Sequence, residues 1–306
     1  MPIKILKKGI ADTIQDQGRY GFQHLGIQSN GCMDYLSAQL GNAIVQNPLD
    51  HPVIELYFPA SSFCFTSNYT ICITGANFVP LLNEKSIELN KAIQVVENDV
   101  LKFLKPIEGN FAYIAIQGKI NTPEWLESQS YFSKTLQKDV EFDLLPIDQK
   151  NLSNHSLHAD KLYAIPVYVF SSTPIRFIPG PAWNDLTADA IQKILTKPFH
   201  TSLQTNRMGY LLKGPLLELT KPNQYLSSAV TRGTLQLLPN GSLMVLMADH
   251  QTIGGYANLG QIILVDLPRF AQLKNDSAFH FSLTNVNTAH QLYQEIQQGF
   301  IHRPEL

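Results

Sequence analysis

The amino-acid sequence predicts a mainly β protein of two domains with a few short helices. Most apolar segments are only four to eight residues long and end at Asn, Gly, Pro, Ser or Asp, which is typical of strands. Few segments show helical spacing of apolar residues. The chain has 306 residues, 44% of them hydrophobic and 16% charged, so that it can bury one large core or two ordinary ones.

The predicted strands are distributed along the whole chain. They share a high content of Val, Ile, Leu, Phe and Tyr, which fit a pleated, half-buried surface. We expect strands at residues 69–74, 93–96, 100–104, 111–116, 163–170, 175–179, 234–238, 243–247, 261–265 and 279–283.

Three apolar stripes predict helices that close a side or an end of the β domains. Each repeats at three- and four-residue intervals, and the first two follow potential N-caps. The stripes are Leu36, Leu40, Ala43 and Ile44 after Asn30 and Asp34; Leu186, Ala190, Ile191, Ile194 and Leu195 after Asn184 and Asp185; and Ala289, Leu292, Tyr293 and Ile296.

A polar stretch without periodicity, KNLSNHSLHADK at residues 150–161, lies near the middle of the chain. We interpret it as a linker or surface loop. It places an N-terminal β-rich domain at residues 1–160 and a C-terminal one at residues 161–306; the resemblance described below implies that both are β-barrels.

Composition and missing motifs exclude several classes of function. The formal net charge is −2 without a basic stripe, which argues against nucleic acid and anionic membrane as partners. The N-terminus resembles no signal peptide and no apolar run is long enough to span a bilayer, so we expect a cytoplasmic protein. Three cysteines without a CxxC pair, and no HExxH, predict neither disulfides nor a metal site. Phosphate-binding loops and a GxSxG nucleophile motif are also absent from the sequence.

Four polar segments that contain glycine are the candidate binding elements. Glycine permits left-handed backbone and close approach to a ligand, whereas the alternative is a set of tight turns and helix caps. For Arg207, binding of a carboxylate or carbonyl and pairing with a nearby acid are equally open. The candidates are Gln15, Asp16 and Arg19; Gly31, Met33 and Asp34; Asn206 and Arg207; and Asp249, Gln251, Thr252, Gly254, Gly255 and Tyr256. The last group lies between two apolar runs that look like the two strands of a buried hairpin.

In order and spacing these segments resemble one family. QDQGRYGFQHLGIQSNGCMD at 15–34 is similar to its N-terminal signature, TGAN at 74–77 to its TGAD, and RFIPGP, TNRMGYLLKGP and ADHQTIGGY to its C-terminal signatures. The chain is thereby identified as a member of the group that unites biotin-dependent carboxyltransferases with the C-type subunit of 5-oxoprolinase. The resemblance extends from about residue 9 to about residue 283.

The resemblance implies two cyclophilin-like β-barrel domains and an enzyme subunit that is active in a complex. The implied activity is ATP-dependent conversion of 5-oxoproline to glutamate, with a B-type partner protein and a third 5-oxoprolinase subunit. The alternatives are biotin-dependent carboxylation of urea or another small amide, with biotin carried elsewhere, and a non-catalytic regulator that binds a kinase-inhibitor-like protein. ATP would act in the assembled complex.

Both chemistries develop negative charge on the oxygen of a small amide or lactam. We therefore predict Asp16, Arg207 and Asp249 as catalytic residues and the other candidates as substrate-binding residues. Three positions depart from the family pattern: Asn77 replaces an Asp, His250 an Arg, and Asn258 a Lys or Arg. These departures predict altered specificity or activity.

Overall fold

The computed structural model describes residues 2–130, 135–145, 170, 173–221 and 224–301. The chain divides into two compact units. Unit 1 comprises the described residues within Met1–Arg19, Asn30–Phe170 and Gln297–Leu306, and unit 2 those within Tyr20–Ser29 and Ser171–Ile296. The predicted linker at 150–161 and most of the predicted strand at 163–170 lie outside the described residues, and the boundary between residues 160 and 161 stays a prediction.

The described residues are mostly β, which confirms the predicted fold class. The strands of unit 1 are β1 Pro2–Lys7, β2 Thr13–Gln15, β3 Val53–Tyr57, β4 Ser62–Phe65, β5 Tyr69–Asn77, β6 Pro80–Leu82, β7 Lys85–Ser86, β8 Ile93–Val95, β9 Val100–Phe103, β10 Glu108–Ile116, β11 Lys119–Ile120 and β12 Glu141–Leu145. Those of unit 2 are β13 Ile175–Pro179, β14 Phe199–Thr205, β15 Gly209–Lys213, β16 Ser228–Ala229, β17 Thr234–Leu237, β18 Leu243–Leu246, β19 Ile253–Gly254, β20 Ala257–Ile262, β21 Ala278–Phe279 and β22 Phe281–Leu283.

The α-helices of the described residues are α1 Tyr35–Ile44, α2 Ala188–Thr196, α3 Leu267–Ala271 and α4 Val286–Ile301. Helix α1 begins where predicted, because the Asp34 carboxylate accepts a hydrogen bond from the backbone N–H of Ser37 at 2.9 Å. The N-cap of α2 is Thr187, so the predicted caps Asn184 and Asp185 are wrong.

Unit 1 contains a seven-stranded sheet in the order β11-β12-β1-β4-β9-β6-β7 and a five-stranded sheet in the order β2-β3-β10-β5-β8. Apolar side chains of both sheets form one buried cluster. It includes Ile3 and Ile5 of β1, Phe63 of β4, Ile73 of β5 and Ile114 of β10. Burial of this cluster is the main favourable term for folding of the unit.

Unit 2 contains an eight-stranded sheet in the order β21-β14-β15-β18-β17-β20-β13-β22. The first and last strands in this order are separated in sequence by His280 alone. The sheet must therefore curve round almost into a closed barrel. A separate pair, β16 with β19, joins Ser228 to Gly254 and Ala229 to Ile253.

The strand predictions hold where apolar periodicity was strong. Segments 69–74, 111–116 and 175–179 lie in β5, β10 and β13. The prediction at 261–265 is wrong in its second half, because Leu264–Asp266 is a 3-10 helix in which Asp266 is fully buried and pairs with Arg176. The predicted strand at 279–283 is divided at His280 between β21 and β22.

The apolar runs before and after the segment 249–260 do not form a hairpin with each other. Strand β17 lies between them and pairs with β18 on one side and with β20 on the other. The segment therefore connects β18 to β20 past β17, and part of it forms β19. Its length follows from this crossing, because a two-residue turn joins only adjacent antiparallel strands.

Candidate functional site

In unit 1 the carboxylate of Asp16 joins two loops. It follows β2 and is 7% exposed. One oxygen accepts from the backbone N–H of Gly18 at 2.7 Å and from the hydroxyls of Ser128 at 2.7 Å and Ser130 at 2.6 Å. The other accepts from the backbone N–H of Gln129 at 2.6 Å. These bonds fix the loop 128–130 against the turn that begins at Asp16.

Arg19 is also held by protein groups. Its guanidinium donates to the side chain of Asn30 and to the carbonyl of Ser130, and it lies 5.0 Å from the centre of the Trp125 ring. The side chain is 2% exposed. This arrangement is suited to holding the turns in place, because the donors are directed at protein acceptors.

The second glycine-containing segment packs directly on the first. Cys32 donates its backbone N–H to the carbonyl of Asp16 at 3.0 Å. Gly31 has a φ of 91°, and a Cβ there would lie 2.7 Å from the carbonyl oxygen of Gln17. Glycine is therefore required at this position by both backbone conformation and space. The structure brings together the two N-terminal segments that the sequence singled out.

The start of α1 rests on a buried acid. The backbone N–H of Met33 donates to Glu55 at 2.7 Å, and that of Asp34 donates to the hydroxyl of Tyr113 at 2.7 Å. Tyr113 in turn donates to Glu55 at 2.9 Å. Burial, with Glu55 and Asp34 nearby, raises the pKa of Tyr113 well above its usual value, so that the phenol stays protonated.

Gln15 has a buried side-chain oxygen without a protein partner. Its amide nitrogen donates to the hydroxyl of Thr13 at 3.0 Å, and the residue is fully buried. The side-chain oxygen has no hydrogen-bond partner among the described residues. Of the unit 1 candidates, Gln15 thus retains an unused acceptor.

In unit 2 the turn 206–209 and the segment 249–256 meet through an ion pair. Arg207 donates to both carboxylate oxygens of Asp249, from Nε at 2.8 Å and from Nη2 at 2.9 Å. The side chains are 16% and 9% exposed. The backbone N–H of Asp249 also donates to the carbonyl of Arg207 at 2.8 Å. The bidentate geometry fixes the plane of a partly accessible guanidinium.

Neighbouring groups hold this pair in place. The side chain of Asn206 accepts from the backbone N–H of Met208 at 2.8 Å, which shapes the turn. Gln28 donates to the carbonyl of Asp249 at 2.7 Å, so the stretch 20–29 contributes to unit 2. His250 is fully buried, and its Nε2 has no partner among the described residues. Burial lowers the pKa of His250 and favours the neutral ring.

The glycine pair of the same segment has two different surroundings. A Cβ on Gly254 would overlap the side-chain amide nitrogen of Gln236, so this glycine is needed for packing. A Cβ on Gly255 would lie 3.2 Å from the hydroxyl of Ser227, which is a tight but less restrictive contact. Before them, Gln251 and Thr252 are half-buried; the carbonyl of Thr252 accepts from the backbone of Val230 at 3.1 Å.

An open cavity of about 840 Å³ lies beside this glycine pair. Its wall combines apolar groups with a few polar ones, as is common in small-molecule sites. Gly255 and Tyr256 belong to the wall, and Tyr256 is 47% exposed. The remaining wall consists of residues 216–219, 224–225, 237–241 and Ala257.

Two of the three departures from the family pattern make a local hydrogen bond with the backbone two residues further on. The Asn77 side chain accepts from the backbone of Val79 at 2.9 Å, and that of Asn258 accepts from Gly260 at 3.1 Å. Asn258 is also the cross-strand neighbour of Gln236. The effect of these departures on activity stays a prediction.

Within the described part of the chain, no group of His, Cys, Asp and Glu is arranged to hold a metal ion. None of the helices described here is both long and apolar enough to cross a membrane.

The fold and the glycine-containing loops define a class: a two-unit β protein whose polar turns are ordered by buried acid and arginine contacts. A family model described as "Carboxyltransferase domain, subdomain A and B" matches residues 25–283. The chain belongs to this carboxyltransferase domain family.

Individual relatives support the same assignment. The chain is 29% identical over 299 residues to the C-type subunit of 5-oxoprolinase from Escherichia coli, covering 97% of this chain and 96% of that protein. It is 34% identical over 236 residues to urea amidolyase of Saccharomyces cerevisiae, covering 72% of this chain and 13% of that larger protein. The crystal structure of Kluyveromyces lactis urea carboxylase has the same fold, with a TM-score of 0.88, 23% identity and coverage of 98% of this chain and 29% of that one.

The structure joins the sequence-predicted residues into a group in each unit. Asp16, Arg19, Gly31 and Asp34 belong to the unit 1 network, and Arg207 pairs with Asp249 in unit 2. Their catalytic and binding roles stay predictions. Gln236, whose buried amide packs against Gly254, was not among the predicted residues, because a single polar residue in the apolar strand TLQLL gives no local signal of its own.

Proposed function

We propose that this chain is a subunit of an ATP-dependent 5-oxoprolinase, which converts 5-oxoproline to glutamate together with a B-type partner protein. The observation that supports the proposal most directly is the match to the C-type 5-oxoprolinase subunit across nearly the full length of both chains. A third subunit and the requirement for a complex belong to the same proposal.

The contacts of the predicted site residues indicate a different role for each of them in the proposed reaction. Opening a lactam places negative charge on its oxygen, which fixed donors stabilise. Arg207 is the proposed donor, because Asp249 holds its guanidinium plane while part of the side chain stays accessible. Gly255 and Tyr256 border the cavity of about 840 Å³ and keep their predicted role in substrate binding. Asp16, by contrast, accepts from four protein groups and is proposed to order loops.

Biotin-dependent carboxyl transfer is the second candidate, and the description of the matching family favours it. In that reaction the acceptor is a small amide such as urea, and biotin arrives on another chain. The two candidates share a planar amide as substrate and differ in whether ATP alone or carboxybiotin drives the reaction.

A reconstitution experiment tests the proposal. The chain is mixed with the products of the adjacent reading frames, ATP and 5-oxoproline, and glutamate is measured. We expect glutamate only in the full mixture and no effect of avidin. Urea-dependent ATP hydrolysis that avidin abolishes would instead support carboxyl transfer. Tight association of the chains without turnover of either substrate would contradict both reactions and indicate a regulatory role.

Variants of Arg207 test the proposed site within the active mixture. Removal of one charge-assisted donor to a developing oxyanion costs about 10²-fold in kcat. We expect that loss in Arg207→Ala and a partial loss in Arg207→Lys, which keeps the charge but not the planar fork. Lys213 is a matched control, because its ammonium pairs with Asp276 at an exposed position. Turnover of Arg207→Ala within about threefold of the parent would refute the assignment.

A further inference from the structure

Gln236 of β17 is buried with an unused side-chain amide. The residue is fully buried, and both its amide nitrogen and its amide oxygen lack a hydrogen-bond partner among the described residues. A glutamine amide offers two donors and one acceptor with two lone pairs. A buried amide without partners destabilises a fold, and such groups in native structures are few. The exception therefore calls for a functional explanation.

A second glutamine on the adjacent strand shows the usual arrangement. The side chain of Gln261 in β20 accepts from the hydroxyls of Thr231 at 3.0 Å and Thr234 at 3.1 Å, and it donates to the carbonyl of Arg232 at 2.6 Å. The same residue type on the same sheet is thus fully satisfied by protein groups. Of these two glutamines, only Gln236 lacks partners for both amide atoms among the described residues.

Position 236 lies beneath the glycine-containing segment that the sequence singled out. The amide of Gln236 packs against Gly254, at a distance that leaves no room for a Cβ. Gly254 belongs to the pair β16 and β19, here called the flap. The flap is exposed along Ser228, Ala229 and Ile253 and consists of two paired residues on each side. Such a short pair is held weakly, and it covers the amide.

The cavity wall begins at the next residue on both strands. Leu237 follows Gln236, Gly255 follows Gly254, and both border the cavity of about 840 Å³. Successive side chains of a strand point to opposite faces, so adjacency to Leu237 alone does not bring the amide to the cavity. The link is Gly254, which packs on the amide and directly precedes Gly255 of the cavity wall. Displacement of the flap would therefore open the amide toward solvent on the side of Gly254.

We propose that Gln236 binds the amide edge of the substrate when the flap is displaced. A primary carboxamide presents C=O and N–H side by side, and it forms two parallel hydrogen bonds with any ligand whose own N–H and C=O lie on one edge. Lactams and ureas have this edge, because the ring or the symmetry of the molecule places N–H and C=O cis. The inference rests on the proposed function, because 5-oxoproline is such a lactam. It adds that Gln236 makes one of the contacts with this substrate.

Two substitutions separate binding from structure. Gln236→Met keeps the volume of the side chain and removes the unpartnered polar atoms, so we expect a melting temperature equal to or above that of the parent. In the reconstituted complex we expect its KM for 5-oxoproline to rise at least about tenfold, because the ligand loses both partners. The matched control Gln261→Met should lower the melting temperature and leave KM within about twofold of the parent.

A ligand analogue gives a readout that a purely structural role would not change. In 1-methyl-5-oxoproline a methyl group replaces the N–H. The parent complex should discriminate against this compound, and Gln236→Met should lose most of that discrimination. An unchanged ratio of affinities for the two compounds in a folded Gln236→Met variant would overturn the proposal, as would a melting temperature lowered as in Gln261→Met.

Ligand titration of the isolated full chain distinguishes this inference from the proposed function. The probes are 5-oxoproline and urea at millimolar concentrations, with binding followed by NMR. If the complex has no 5-oxoprolinase activity but the chain binds urea in a manner that depends on Gln236, the proposed function fails and the inference holds. If 5-oxoproline is turned over with unchanged KM in Gln236→Met, the proposed function holds and the inference fails. Absence of binding of both probes, to the chain and to the complex, overturns the inference.

Discussion

Replacement of Asp16 by Asn distinguishes a structural acid from a catalytic one. Asparagine keeps the shape of the side chain and can retain the oxygen that accepts from Gly18, Ser128 and Ser130. Its NH₂ group then faces the backbone N–H of Gln129, which now donates to the carboxylate at 2.6 Å. Two donors would oppose each other in a region where Gln129 is only 4% exposed.

The expected loss follows from these four bonds. The bond to Gln129 is lost and leaves a buried donor unsatisfied, which costs about 1–3 kcal/mol. The other three bonds change from charged to neutral acceptors and weaken to about half. Relief of the desolvation of the carboxylate offsets part of this loss. We expect the free energy of unfolding to fall by about 3 kcal/mol, a substantial part of the 5–15 kcal/mol typical of a domain.

The assay is urea unfolding of the purified chain, with separate fluorescence and circular dichroism probes to test for two-state behaviour. Asp50→Asn is the control, because Asp50 is exposed and should change stability by less than about 0.5 kcal/mol. A loss below about 1 kcal/mol for Asp16→Asn, combined with a large loss of turnover in the reconstituted complex, would refute the structural role and support the predicted catalytic one.

Two further substitutions probe the same loops and the segment 249–256. Gly31→Ala should lower the free energy of unfolding by about 3 kcal/mol in the same assay, because the φ of residue 31 is 91° and the new methyl group would overlap the carbonyl of Gln17. An unfolding free energy close to that of the parent would contradict this backbone argument. Burial lowers the pKa of His250 below its usual 6.5, so the unfolded chain binds the proton more readily and stability falls as the pH drops through 6.5. His250→Gln should therefore flatten the fall in the free energy of unfolding between about pH 7.5 and pH 5.5. An unchanged slope would contradict this account, and His51, whose pKa burial also lowers, would be the next residue to replace.

The fold class was predictable from sequence because strand signals are local. Segment 111–116 is apolar along its length, segment 175–179 is apolar except for Arg176, and they form β10 and β13. Strands of two residues, such as β19, carry no signal of their own and form only because a partner lies opposite. The error at Leu264–Asp266 has the same origin, since the buried ion pair of Asp266 with Arg176 depends on a residue 90 positions away.

The candidate site was predictable in its segments but not in its contacts. The sequence left open whether Arg207 binds a ligand or pairs with an acid, and the structure shows the pair with Asp249. Glycine marked both N-terminal segments as places of left-handed backbone, since Gly18, Gly21 and Gly31 have positive φ. Close approach is found at Gly31, where the approaching group is the carbonyl of Gln17, whereas the space beside Gly21 is open. The positions of glycine in the sequence indicate where the backbone conformation is unusual. Which group lies beside each glycine depends on the tertiary fold.

The distribution of satisfied and unsatisfied polar groups narrows the search for the ligand contact. Asp16 and Arg19 are polar, buried and provided with protein partners, so their presence is accounted for by the order they impose on the loops. Gln236 is equally buried, but its amide has no hydrogen-bond partner among the described residues that would explain its presence. Gln261 on the neighbouring strand shows that this sheet can provide hydrogen-bond partners for a glutamine. Natural sequences keep a locally unfavourable choice mainly where function requires it. The amide beneath Gly254 is therefore a better candidate for contact with the substrate than the carboxylate that the N-terminal signature makes conspicuous.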